Sequence, residues 1–270
     1  TNFLVVTDWD DPKFAAEAIH KGMWEPLNFL EDIGYGIYLL EPHDVSKETV
    51  LFVHGINGSP VQFKTLVEAL GEQYQALLVQ YPSAFPLEHT AYLLANAVSE
   101  YRDRFPEQVI HIVAHSMGGL VGRGGIVDAD KAAQSQLGTF VTMSTPWLGH
   151  EAAAHGVEHS PVVAPVWRSM APNSDYLQGI FAKSLPDGLD HHLLFSMAKK
   201  RGGPSEGSDG VVTIKSQLGY QAQLEAASVF GINDNHNGIL SNPCTVRWLK
   251  LILGAGSVAS RSALAGACSN

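Results

Sequence analysis

Charge is scarce in this chain, and cysteine scarcer still. Lys, Arg, Asp and Glu make up only 16% of the 270 residues, and acidic residues outnumber basic ones by 27 to 17, for a net charge of −10. That sign argues against nucleic acid or an anionic membrane as a main partner, because both repel it. No apolar run reaches the ~18–20 residues of a transmembrane helix. There is no internal repeat, and only Gly202 to Gly210 reads as a short, flexible, low-complexity loop. The chain opens at Thr1 without a methionine, so a processed or trimmed N-terminus is expected. Only two cysteines are present, Cys244 and Cys268, 24 positions apart and flanking the last expected helix. We expect them to form a disulfide that ties back the Gly-, Ala- and Ser-rich tail from Gly254 to Asn270, which would otherwise fray. A loop of that size stabilises by ~3 kcal/mol in the chain-entropy model. Because disulfides persist in oxidising compartments, a secreted or periplasmic location follows as an expectation.

What is present points to a packed globular domain. Hydrophobic residues are 45% of the chain, and residues 1–270 suffice for one large α/β domain with a full core. Gly34 to Leu40 and Glu48 to Val53 read as two adjacent strands separated by a turn at Pro42 to Ser46, and Gln75 to Tyr81 as a third, closed by Pro82. Leu87 to Phe105 carries a helical stripe of apolar residues. Val109 to Ala114, Leu137 to Met143, His192 to Met197 and Ala226 to Phe230 are further expected strands; Gly118 to Val127 and Val246 to Leu253 are expected helices. Strands alternating with helices predict a mostly parallel central sheet covered on both faces.

Trp147 to Asp190 interrupts that rhythm with a stretch rich in proline, glycine, tryptophan and histidine. Two readings stay open: a surface connection with a short helix, or a lid over the active site. Trp147, Leu148 and Trp167, with Val162, Val163, Val166, Met170, Leu177 and Phe181, are too apolar for a simple solvent loop, and a lid facing an apolar pocket would use them.

The most informative run is Val109-Ile110-His111-Ile112-Val113-Ala114-His115-Ser116-Met117-Gly118-Gly119. A buried strand meets a small residue, then x-Ser-x-Gly-Gly, then helix-compatible sequence, which is the pattern of a nucleophile elbow. The tight strand-to-helix turn forces unusual backbone angles on the serine and lifts its hydroxyl clear of the sheet. Small residues are needed two positions either side, because strand and helix backbones nearly touch there. Ala114 replaces the usual first glycine at the expense of one methyl group.

A serine hydroxyl is a poor nucleophile near neutral pH and needs a base, which in turn needs an orienting acid. Of 12 histidines, His236 best fits the base, in the loop Gly231 to Gly238 after the last expected strand. His150, His155, His159, His191 and His192 lie in or beside the interrupted segment and read as surface residues. Asp209, in Ser208-Asp209-Gly210-Val211-Val212, is the leading acid; Asp187, Asp190 and Asp234 are alternatives, with Asp234 better read as capping its own turn. An oxyanion hole needs two backbone N–H groups. Met117 supplies one, and Ile56, in Val53-His54-Gly55-Ile56-Asn57-Gly58, the other. His54 reads as a buried histidine bonded within its loop.

The pairing of V-H-G-I-N-G-S-P with A-H-S-M-G-G, S-D-G-V-V and D-N-H resembles the α/β-hydrolase superfamily. Within it, the chain is most similar to bacterial lipases and lipase-like esterases, and Ser144-Thr145-Pro146-Trp147-Leu148-Gly149 resembles their S-T-P-x-x-G segment. The likeness spans roughly residues 34 to 253; the first 33 residues match nothing in it. It implies an α/β-hydrolase fold with a lid-like insertion at about 147–190. It also implies a carboxylic ester hydrolase with Ser116 as nucleophile, His236 as base and Asp209 as acid, and with Ile56 and Met117 as oxyanion donors. The substrate would be a small-molecule or lipid ester, with transient contact at a lipid interface. No cofactor is implied and, without a calcium-site motif, no metal. The same triad serves a thioesterase, amidase or acyltransferase, and a hydrolase fold that only binds a ligand is the reading from a different class.

Overall fold

Short runs of β-branched, leucine and aromatic residues become the strands. Among the described residues, which are 2–198 and 207–254 of this computed structural model, there are eight. They are β1 (Asn2–Val6), β2 (Gly36–Leu39), β3 (Glu48–Val53), β4 (Tyr74–Gln80), β5 (Ile110–His115), β6 (Leu137–Met143), β7 (Asp190–Ser196) and β8 (Ala226–Ile232). They form one sheet in the order β1-β2-β4-β3-β5-β6-β7-β8, in which β2 and β4 run antiparallel and every other pair is parallel. The two-residue repeat of a strand sends alternate side chains to opposite faces. Leu51 and Val53 thus pack in one core cluster while Val50 and Phe52 pack in the other.

The helices are α1 (Ala16–Trp24), α2 (Pro26–Asp32), α3 (Lys64–Ala69), α4 (Leu87–Arg104), α5 (Met117–Asp128), α6 (Lys131–Gln134), α7 (Glu151–His159), α8 (Pro165–Met170), α9 (Asp175–Phe181), α10 (Ile214–Gln217), α11 (Tyr220–Glu225) and α12 (Pro243–Gly254). α4 buries Leu87, Ala91, Leu94, Ala95, Val98 and Tyr101 as one stripe, carries Arg102 and Arg104 in its last turn, where they suit the helix dipole, and stops before Pro106. Together with α5 it covers one face of the sheet; α3 and α12 cover the other through Leu66, Trp248, Leu249 and Ile252. None of the described helices is long and apolar enough to cross a membrane.

Several sequence expectations are corrected. The strands at Gly34 to Leu40 and Glu48 to Val53 are consecutive but not neighbours, because β4 lies between them. The first 33 residues, which carried no expectation, build β1 at the sheet edge together with α1 and α2. β7 starts two residues earlier than expected, at Asp190, so His191 and His192 are strand residues. His191 is buried at 2% exposure, stacks on Phe140 and hydrogen-bonds Thr142 Oγ1 through Nε2 at 2.9 Å; it is not on the surface. The segment between β6 and β7 holds three helices, α7 to α9, rather than one. Val166, Met170, Leu177 and Ile180 anchor it in the core beside α4 and α5. The expected Cys244–Cys268 bridge involves Cys268, which lies outside the described residues.

Candidate active site

Strands β3 to β8 run in one direction and end at one edge of the sheet, and the elbow sits there. Ser116 follows β5 with φ 55° and ψ −130°, a left-handed conformation that L residues rarely adopt and that the start of α5 at Met117 enforces. The elbow demands glycine at 118, where a Cβ would collide with the Val53 and His54 carbonyls of β3 and the loop after it. The Ser116 N–H donates to the Met143 carbonyl at 2.8 Å, which ties the turn to β6.

His236 comes from the loop after β8 and Asp209 from the loop between β7 and α10. The Ser116 hydroxyl lies 2.9 Å from His236 Nε2, and His236 Nδ1–H donates to Asp209 Oδ2 at 2.7 Å. Asp209 is 1% exposed, yet both carboxylate oxygens are satisfied. Oδ1 accepts from the Val211 and Val212 amides at 2.9 and 2.7 Å; Oδ2 also accepts from Ser196 Oγ at 2.8 Å and Gln217 Nε2 at 3.1 Å. Burial pushes the carboxyl pKa up. The His236 hydrogen bond and charge, with the two amides, outweigh it and hold the group ionised below its ordinary range. The structure therefore brings Ser116, His236 and Asp209 together. Asp187 and Asp190 are exposed and outside this line, and Asp234 accepts from the Asn235 amide and Asn242 Nδ2 in its own turn.

The loop after β3 passes beside Ser116. Gly55 is required there, since a Cβ on it would lie 2.9 Å from Ser116 Cβ. Among the described residues the Ile56 and Met117 amides make no hydrogen bond, which leaves both N–H groups for a ligand. His54 is buried, donates through Nδ1 to the Gly55 carbonyl at 2.9 Å and stacks on Tyr81, with ring centroids 4.1 Å apart. Burial lowers its pKa to about 4.

A cavity of about 460 Å³ opens above Ser116 and His236, walled by Ile56, Gln62, His150, Ala153, Trp167 and Met170. Trp167 thus lines the cavity that holds Ser116. Trp147 and Leu148 do not: they line an adjoining cavity of about 630 Å³ that shares His150 and Val211 with the first. The chain turns back sharply after β6, with the Trp147 N–H donating to the Thr145 carbonyl at 3.0 Å. The 2%-exposed indole is thereby carried between Phe181 and His191. His150 is half-exposed at the cavity wall. Its Nδ1 caps α7 by accepting from the Ala152 amide, and its Nε2–H donates to the Val211 carbonyl at 2.9 Å. Sequence reasoning missed the parts that Ser196, Gln217, Gln62 and His115 play here; the first three carry no motif, His115 stands in the elbow only as the residue before the nucleophile, and the tertiary fold brings them together. Among the described residues no group of three or more His, Cys, Asp or Glu is placed to hold a metal.

Comparison with known proteins agrees with this architecture. The family model for the alpha/beta hydrolase family matches residues 50–256. The mature form of the Bacillus licheniformis lipase BlEst2 superposes with a TM-score of 0.62 at 18% identity, over 80% of this chain and 97% of that one. Aspergillus fumigatus lipase B gives a TM-score of 0.61 at 16% identity, over 87% of this chain and 60% of that one. At that identity the likeness is one of fold. In sequence, the lysosomal thioesterase PPT2 of Rattus norvegicus is 28% identical over 115 residues, and the Homo sapiens protein 26% identical over 114. Each match spans 40% of this chain and 37% of the relative. With its elbow, its sheet order and a family model matched over most of its length, this chain belongs to the alpha/beta hydrolase family.

Proposed function

We propose that the protein is a serine-dependent carboxylic ester hydrolase working through an acyl-enzyme. The observation that carries this is the buried line from Ser116 Oγ to His236 Nε2 at 2.9 Å and from His236 Nδ1 to Asp209 Oδ2 at 2.7 Å. Ser116 Oγ attacks the ester carbonyl while its proton passes to His236 Nε2. The oxyanion is held by the Ile56 and Met117 amides, the second of them at the positive end of α5. Asp209 keeps the imidazole in the tautomer with Nδ1 protonated and stabilises the imidazolium as it forms. His236 returns the proton to the leaving alkoxide and the alcohol departs. Water then repeats the attack with the same base, releasing the acid and restoring Ser116. Ile56, Trp167 and Met170 would take the acyl chain, and helices α7 to α9 would act as the lid.

One specific observation favours a second reading, thioester cleavage by the same steps: the 28% identity with a thioesterase over 115 residues. A fluorophosphonate probe followed by peptide mapping tests the shared part, and a chain-length series of matched p-nitrophenyl esters and acyl thioesters separates the two. Labelling of Ser116 with faster ester turnover is expected. An unlabelled Ser116 would favour a ligand-binding hydrolase fold. We further propose that Cys244 and Cys268 are bridged and that the protein works in a secreted or periplasmic setting. Two reactive thiols in the denatured, unreduced protein would remove that proposal.

A further inference from the structure

His115 precedes Ser116 and is 3% exposed, yet the chemistry above does not use it. Its Nε2–H donates to the main-chain carbonyl of His236 at 2.8 Å, and its Nδ1 accepts from Gln62 Nε2 at 3.2 Å. On the other side, the His236 N–H donates to the main-chain carbonyl of Asp209 at 3.0 Å. Both main-chain polar groups of His236 are therefore held, one by the acid's own backbone and one by the residue next to the nucleophile. The rings of His115 and His236 lie 4.7 Å apart.

We propose that His115 is a positioning residue for the base. Its imidazole, oriented by Gln62, anchors the His236 backbone so that Nε2 stays in line with Ser116 Oγ. This rests on the assignment of Ser116 and His236 proposed above. Proton transfer between Oγ and Nε2 depends steeply on their separation and angle, and His236 sits on a loop rather than inside a strand or helix. The loop builds its own turn through Asn235 Oδ1, which accepts from the Asn237 and Gly238 amides, but that turn does not set its distance from β5. His115, at the last position of β5, does. A histidine suits the task for two reasons. Its two nitrogens are rigidly separated, so one accepts from Gln62 while the other donates to His236. Burial, reinforced by the neighbouring His236, also lowers its pKa to about 3, so it adds no second positive charge beside the imidazolium formed in turnover.

Two substitutions separate positioning from packing. His115→Gln puts an amide donor near the place of Nε2, whereas His115→Asn can meet Gln62 but is too short to reach the His236 carbonyl. His115→Asn should lose about 10- to 100-fold in kcat, with KM changed by less than about twofold. His115→Gln should return to within about fivefold of wild type. A readout independent of turnover is the downfield proton resonance of the His236 Nδ1–H···Asp209 hydrogen bond. It should shift or broaden in His115→Asn and stay native-like in His115→Gln. Unchanged kcat and resonance in His115→Asn would overturn the proposal. So would equal losses of kcat and melting temperature in the two variants, which mean packing alone. Should His115→Asn not fold, Gln62→Leu, which releases the ring from the other side, should lower kcat with KM unchanged; no change in kcat would overturn the proposal. A wild-type enzyme with neither turnover nor labelling of Ser116 would instead sink the assignment of the nucleophile, and the resonance would still report on what His115 does.

Discussion

The edge of the sheet around Ser116 and the segment from Trp147 to Leu189 lie on opposite sides of one cavity and are held by different forces. At the sheet edge, polar groups do the holding. Asp209 accepts five hydrogen bonds while 1% exposed, and His236 is fixed through its ring and its backbone. In the segment above, apolar side chains do it. Val166, Met170, Leu177 and Ile180 are sunk in the core, and the polar links to the rest are scattered along the segment rather than gathered on one group: Leu148 and Gly149 to Ser216, His150 to Val211, Val166 to the Ala84 carbonyl, Ser169 to Leu87 and Glu88, Tyr176 to the Leu120 carbonyl, and Lys183 to Arg123 and Asp128. Directional bonds hold a few atoms within tenths of an ångström, which proton transfer needs. Dispersion and burial tolerate sliding and substitution, which suits a surface that must accept more than one substrate shape. Change at the edge should therefore act on rate for every substrate, and change in the segment above should act on preference among substrates.

The largest effect tests the first half. Ser116→Ala and Asp209→Asn should each lower kcat by ~10³-fold or more on every ester, long or short. Ser116→Ala should melt near wild type. Asp209→Asn should be destabilised by about 1–3 kcal/mol, because an amide nitrogen would meet groups that are themselves donors. Loss confined to one chain length in either variant would break the contrast.

Acid should attack the sheet before the cavity wall. His54, His115 and His191 are buried, with pKa values lowered from 6.5 to about 4, about 3 and about 3 by desolvation. Below pH 6.5 the unfolded chain takes up protons that these rings refuse in the folded state, so stability falls as pH drops from there toward 4. Each excess proton contributes a slope of about 1.4 kcal/mol per pH unit. A melting temperature flat above pH 7 and falling steadily below 6 is expected, with a shallower fall in His191→Phe. A flat profile between pH 7 and 4.5 would contradict it.

Trp167→Ala sharpens the second half. It should lower kcat/KM for long-chain p-nitrophenyl esters by about tenfold or more while leaving short-chain esters within a few-fold, given ~1–3 kcal/mol per methylene in an apolar pocket. Equal losses on all esters, with a lower melting temperature, would make the residue part of the core instead. The smallest effect is expected from His150→Ala. It removes the cap of α7 and the link to Val211, for about 0.5–2 kcal/mol of stability, with kcat on short esters nearly unchanged.

The strands that carry the site were legible because their signal is local. A run such as Ile110 to Ala114 needs to be buried on both faces, and Ser116 between Ala114 and Gly118 can make only one kind of turn there. The N-terminal strand was not legible. Five residues at a sheet edge have little to distinguish them until β2 supplies the partner, and the Leu4 irregularity shifts their register. Trp147 and Trp167 looked alike as apolar residues of one segment. Which of them faces the cavity depends on a turn after β6 and on where α8 docks.

Sequence alone determined the order of the strands β2 to β8, the elbow and the types of residue that could act, since each rests on neighbours along the chain and on allowed backbone angles. The tertiary structure decided everything that depends on residues distant in the chain. It brought Asp209 and His236 to Ser116 across 93 and 120 positions, added Ser196, Gln217, Gln62 and His115 around them, and set one tryptophan in the cavity and the other in the core. The physical reason is that hydrogen bonds and buried contacts depend on distance in space, and chain separation carries no record of that distance until the sheet has closed.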